Sequence, residues 1–211
     1  MATEFDKNWE SMQPILTVDA GDSIESSEKW EDVVWHELQN AYHTKRVLSA
    51  SLGGYESTEG GGVVVAYYKE HRIVIPMKEM ALNLVEQKAY GELNKRQIRI
   101  VNSMLDCEID FAIIALDNEE RSVVASRRLA MKAKRKKFYF ADADGKPRIN
   151  VGDTVQARVI AVGEKAVRLD VFGAECSVAA KDLSWEWLGD ARERYTVGER
   201  ILVVVTSIEP D

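Results

Sequence analysis

From residue 27 onward the apolar positions fall into a helical rhythm. Trp30, Val33, Val34, Leu38 and Ala41 recur at spacings of three and four, and Ser27 stands where an N-cap belongs. Trp35 lies off the centre of that stripe. The stripe is expected to dock on the domain that follows, through Trp30, Val34 and Leu38, rather than to await a partner. Residues 1–26 are polar and acidic without a period, which predicts a flexible segment.

The rhythm then shortens to two. Strands are predicted at 47–52, 63–68, 72–75, 108–116 and 122–126. Lys69-Glu70-His71 and Asp117-Asn118-Glu119-Glu120 form the turns, and glycines at 53–54 and 60–62 bracket a loop. Residues 77–92 read as helical or irregular, 97–105 as helical, and 127–137 as a basic helix leaving the domain. Asp144-Gly145-Lys146-Pro147 is turn chemistry and marks a boundary. Beyond it, 154–162 alternates with Val155, Ala157, Val159 and Ala161 on one face. Residues 165–172 place Val167, Leu169 and Val171 inward and Arg168 and Asp170 outward; 175–178 and 201–208 complete the strands. Trp185, Trp187 and Tyr195, in the loop between these last two, read as packing at a barrel end.

Part of this is a repeat. The run from Val74 to Met80 lies 103 residues before the run from Ser177 to Leu183, and at that offset the preceding hairpins superpose without gaps. Each copy reads strand, hairpin, connection, strand, a pattern that buries one face and protects its edges by closing into a small barrel. The second copy stops where the first has its closing strand, so an incomplete barrel with an open edge, or one closed by a neighbouring segment, is expected.

Composition adds exclusions. No apolar run approaches the roughly 20 residues that cross a bilayer, and acids occupy the N-terminus where a signal peptide would be basic and apolar. A cytoplasmic protein is expected, with Cys107 and Cys176 as reduced thiols. The formal net charge is −7. Residues 1–42 hold 10 acids and 2 bases, whereas 129–147 hold 6 bases and 2 acids. An acidic total argues against a general nucleic-acid coat and leaves room for one focused contact.

The segments Ile149-Asn150-Val151-Gly152-Asp153-Thr154-Val155, Lys181-Asp182-Leu183-Ser184-Trp185 and Tyr195-Thr196-Val197-Gly198-Glu199 resemble the S1 RNA-binding domain family. Residues 63–128, with Ile75-Pro76 and Ala125-Ser126-Arg127-Arg128, resemble a more divergent copy, as in bacterial proteins like ribosomal protein S1. The resemblance implies a mainly β chain with two five-stranded oligonucleotide-binding (OB-fold) barrels and short helices. Its domains would be an acidic segment at 1–26, a helix plus divergent barrel at 27–130, a basic linker at 131–147 and an S1 domain at 148–211. Single-stranded RNA is the ligand the resemblance implies.

Where such domains present stacking rings, this chain has Val167 or Arg168, Ala179, Val64 and Ile75, while Tyr67, Tyr68 and His71 lie close by. One of the two tyrosines belonging to a core and both serving as stacking rings remain open alternatives. Lys132, Lys134, Arg135, Lys136 and Lys137, with Arg127, Arg128 and the rings at 138–140, interleave phosphate-pairing charge with flat surfaces. The alternative is a solvated helix fastened by Leu129, Met131 and Ala133. Lys165 and Arg168 are expected as secondary contacts. His36, His43 and His71 are scattered, no nucleophile elbow or phosphate loop occurs, and Asp142-Ala143-Asp144-Gly145 lacks the later acid of a calcium loop. No catalysis, metal or cofactor is expected. The chain reads as a binding protein for single-stranded RNA, associated with translation. The alternative is an adaptor docking ribosomal, other translation or transcription proteins.

Overall fold

A computed structural model describes residues 27–58, 61–82, 90–140, 145–183 and 189–209. Helix α1 (Ser27–Thr44) ends where Lys45 takes a left-handed conformation and the Arg46 N–H bonds back to the Ala41 carbonyl. Strands β1 (Leu48–Thr58), β2 (Gly61–Tyr68) and β3 (His71–Pro76) follow, then a 3₁₀ turn (Met77–Glu79) and helix α2 (Tyr90–Asn102). Strands β4 (Glu108–Asp117) and β5 (Ser122–Ser126) lead into helix α3 (Arg127–Tyr139). The second sheet comprises β6 (Thr154–Val162), β7 (Ala166–Val171), β8 (Ala174–Ala179) and β9 (Arg200–Val204). A short helix α4 (Ala180–Leu183) and a 3₁₀ turn (Ala191–Glu193) lie before β9.

The first five strands close into a barrel in the order β1-β2-β3-β5-β4, β3 and β5 pairing in parallel. The second sheet has the order β8-β7-β6-β9, the first barrel's order without its closing strand. Among the described residues no strand joins β8 to β9, so the sheet stays open. The repeat is visible in detail: β3 and β8, 103 residues apart, have matching bounds, and each is followed at once by a short helical turn. The hairpins preceding them turn on Lys69-Glu70 and Phe172-Gly173, all four residues having positive φ, as a two-residue turn matched to strand twist requires.

Helix α1 lies on the first barrel, and Val34, Leu38 and Ala41 are buried there with Trp30 packed at the margin. Burying such side chains is worth roughly 1.5–3 kcal/mol each. Trp35 is also buried, because the apolar face is wider than its central stripe, and its ring meets His71 at 5.6 Å. Strand β1 runs on through Gly53-Gly54, where a loop was expected, with a bulge between Leu52 and Gly54.

In β6 the predicted alternation holds through Val159 and then breaks. A bulge between Val159 and Ala161 turns Ile160 outward, so that it is buried in the first barrel's core cluster instead of its own. Asp170, expected outward and solvated, is buried, its carboxylate accepting the Gly173 N–H at 2.8 Å.

Candidate nucleic-acid interface

Helix α3 links the two sheets through one face and leaves the other in solvent. Ser126 caps it, accepting the Leu129 N–H at 3.0 Å and donating to Glu79. Arg127, Ala130 and Met131 are buried. Farther along, Lys134 pairs with Asp110 of β4, and Arg135 donates to the Gly173 carbonyl at 3.2 Å. Phe138 packs on Phe172 at 4.3 Å, and the Tyr139 hydroxyl donates to the Val171 carbonyl at 2.6 Å.

The basic run is thereby sorted. Lys132, Lys136 and Lys137 are exposed; Lys134 and Arg135 are half-buried and engaged between the domains. Of the residues expected to fasten the helix, only Met131 does so. Leu129 and Ala133 are exposed, because positions two apart on a helix diverge by about 200° and cannot share a buried face. Phe140, 64% exposed, follows the helix as its C-cap in extended backbone, and Leu129, Lys132 and Lys136, three and four apart, share an exposed side of the helix.

The other candidates separate as well. Tyr67 faces outward on β2, 47% exposed, its ring resting on Gly53, where an added Cβ would come within 2.4 Å of the ring. Across the strand stands Arg72, paired with Glu56 at 2.5 Å. Tyr68 faces inward and is buried against Phe111, its ring edge-on at 6.0 Å, so it offers no stacking surface. Burial and a hydrogen bond to Glu37 push its hydroxyl well above the usual range. His71 is half-buried beside Trp35 with its Nε2 unpartnered, which removes it from the platform too. Burial holds its pKa below the usual value against opposing contributions from the Arg121 backbone and Glu31. Lys165 is exposed in the β6–β7 turn, while Arg168 on β7 lies 3.0 Å from Glu175. Val64, Ile75 and Val167 are core residues. Tyr195 is buried and donates to the Leu183 carbonyl, closing a barrel end; Trp185, Trp187 and Asp142 to Asp144 lie outside the described residues.

Sequence reasoning missed how one end of the outer face of β6–β8 is used: it lies against the first domain, while Gln156 and Ser177 on the same face stay exposed. Register places Arg158, Asp170 and Glu175 in one row across the three strands. Arg158 donates to the Glu108 carbonyl at 2.8 Å and lies 3.5 Å from the Asp110 carboxylate; Arg200 meets Glu108 at 3.0 Å. Arg127 crosses the other way to Glu175 at 2.6 Å, both side chains only 2% exposed. Burial opposes ionisation of Asp110, but Lys134, Arg158 and Ser49 outweigh it and hold the carboxyl below the usual range. Cys107 is buried at the same seam, its Sγ 3.6 Å from the Val159 carbonyl, and burial pushes its thiol up to about 11. The signal that could have revealed this was the excess of charge on strands otherwise patterned for a solvated face.

Among the described residues no group of three or more His, Cys, Asp or Glu side chains is placed to hold a metal, and no helix is long and apolar enough to cross a membrane. Two sheets of matching strand order, one of them closed, are consistent with the oligonucleotide-binding class of small barrels. Residues 148–211 match the family model of the S1 RNA-binding domain, which supports RNA binding as a general activity. No curated protein matches the chain at a significant level.

Proposed function

We propose that this protein binds single-stranded RNA in a bacterial cytoplasm, in association with translation, and acts by holding the strand without chemistry. The observation that carries the reading is the solvent face of α3 beside the S1 domain. It leaves Lys132, Lys136 and Lys137 exposed along the helix and Phe140 exposed just past its end. Ammonium groups along a helix neutralise successive phosphates, and a flat ring at its end offers a base a stacking partner. Tyr67 and Lys165 are further exposed contacts, the first on the divergent barrel, which we read as a second S1-type domain. The linker expected at 131–147 is, in this reading, part of the binding surface.

The test is anisotropy of a labelled twelve-residue oligouridylate across a salt series. Replacing Lys132, Lys136 and Lys137 with alanine should weaken binding and flatten the logarithmic salt slope by about 2 units, at roughly 0.7 per phosphate contact. Phe140→Ala should cost about 1–3 kcal/mol if a base stacks there. A triple variant with wild-type affinity and slope refutes the interface. An absence of salt-dependent binding by the wild type gives the lead to the adaptor reading. That reading draws on the edge of the second sheet, where Val151, Leu202 and Val204 are 61%, 74% and 59% exposed.

A further inference from the structure

We propose that the two domains are latched in a closed state, in which carboxylates of the first barrel occupy the strand face of the S1 domain in place of RNA. Single-stranded RNA and the first barrel then compete for that face. The proposal rests on the RNA-binding reading and concerns its regulation.

Small barrels of this class receive single strands on the outer surface of their central strands, where backbone phosphates meet cations. Here that surface carries Arg158 and Arg168, with Arg200 on the adjoining strand, and each is already met by a carboxylate. Arg158 and Arg200 are met by Glu108 and Asp110 of the first barrel, and Arg168 by its own sheet's Glu175. A carboxylate 3.0–3.7 Å from a guanidinium presents the anionic oxygens a phosphodiester would bring. Arg127 turns Glu175 to the same end, holding the anion that would repel a phosphate inside the seam. Ile160, turned out by its bulge into the first core, adds an apolar contact to the charged seam.

The contacts differ in strength in a way that suits a latch. The Arg200–Glu108 pair is about half exposed on both sides and so is screened by salt. The Arg127–Glu175 pair and Ile160 are shielded and favour the closed state. A strand held first on α3 lies beside this seam and can displace Glu108 and Asp110 from the arginines, exchanging one set of anions for another.

The experiment compares the wild type, Glu108→Lys and Ile160→Asp, with Glu119→Lys as a charge-matched control on the exposed β4–β5 turn. Small-angle scattering reads the separation of the domains, and oligouridylate binding is followed across a salt series. Glu108→Lys and Ile160→Asp should enlarge the radius of gyration. They should also bind RNA about tenfold more tightly than the control, with a salt slope steeper by about 1.4 units for the two arginines released, Arg158 and Arg200. Saturating RNA should expand the wild type in the same way. Opened variants with the control's affinity and slope overturn the latch alone, as does wild-type binding without expansion. Failure of both substitutions to open the molecule overturns it as well. Absence of binding by every variant overturns the RNA reading and the latch with it.

Discussion

Replacing Arg127 with methionine keeps the length of the side chain and removes the guanidinium that spans the two domains. In the folded protein Arg127 is 1% exposed, donates to the Met80 carbonyl at 3.1 Å and meets Glu175 at 2.6 Å. Arg168 lies 3.0 Å from the other carboxylate oxygen without a hydrogen bond to it, so it offsets part of the Glu175 charge but does not supply the donor that Arg127 gives. The variant leaves a buried carboxylate and a carbonyl without their donor. Removing one partner of a buried pair costs about 3–5 kcal/mol. The molecule can avoid part of that by undocking, which returns Glu175 to water, so the loss is capped by the free energy of docking. The expected result is that one calorimetric transition separates into two, that of the S1 domain falling to the lower temperature. Glu175→Gln placed on the same background removes the stranded charge and should restore most of the loss. A single transition at the wild-type temperature for Arg127→Met would refute the account of the seam.

Two further outcomes follow from the same structure. Burial lowers the pKa of His71 in the folded protein, so its contribution is present above the unfolded value near 6.5 and is lost as pH falls below it. The urea midpoint should fall between pH 7.5 and 5 in the wild type and less in His71→Gln; equal slopes would refute this. At Gly173, with φ +90°, an added Cβ would sit 2.5 Å from the Met131 backbone carbonyl, whereas Gly152, at φ +96°, has open space around it. Gly152→Ala should lose about 1–3 kcal/mol from backbone strain, and Gly173→Ala measurably more, since α3 must also move. Equal melting temperatures for the two variants would show that α3 does not press on the turn.

The elements were legible because their signals are local. Strand β6 was read with its observed bounds, and the repeat at 103 residues located the second hairpin with its turn. What failed depended on register. Val159, Ile160 and Ala161 are all apolar, so alternation cannot show that an extra residue enters there and sends Ile160 across to another core. For Tyr67 and Tyr68 the sequence leaves open one core ring or two stacking rings, and only barrel closure shows that Tyr68 is buried and Tyr67 exposed. His71 stood near the platform in sequence, and helix α1, docking through Trp35, took it out of reach. The alternative in which Leu129, Met131 and Ala133 all fasten α3 takes residues in steps of two, and three such residues cannot lie on one side of a helix.

The candidate site shows why a count of charges misleads. Lys132, Lys134, Arg135, Lys136 and Lys137 form a single basic run in sequence. Folded, Lys134 is spent on Asp110 and Arg135 on the Gly173 carbonyl. The helix converts one cluster into two populations: cations that hold the domains together and cations that face water. The same division runs through the second sheet, where Arg158 and Arg168 are drawn into pairs while Lys165 stays exposed. With a net charge of −7, long-range attraction for a polyanion is absent, and screening confines each charge to about 8–10 Å at physiological salt. Affinity for RNA then has to arise at short range, from the few cations left unopposed and from rings beside them. On the proposed reading, affinity depends on how many cations the fold keeps for itself, and at the seam between the barrel and the second sheet Arg127, Arg158 and Arg200 are already paired.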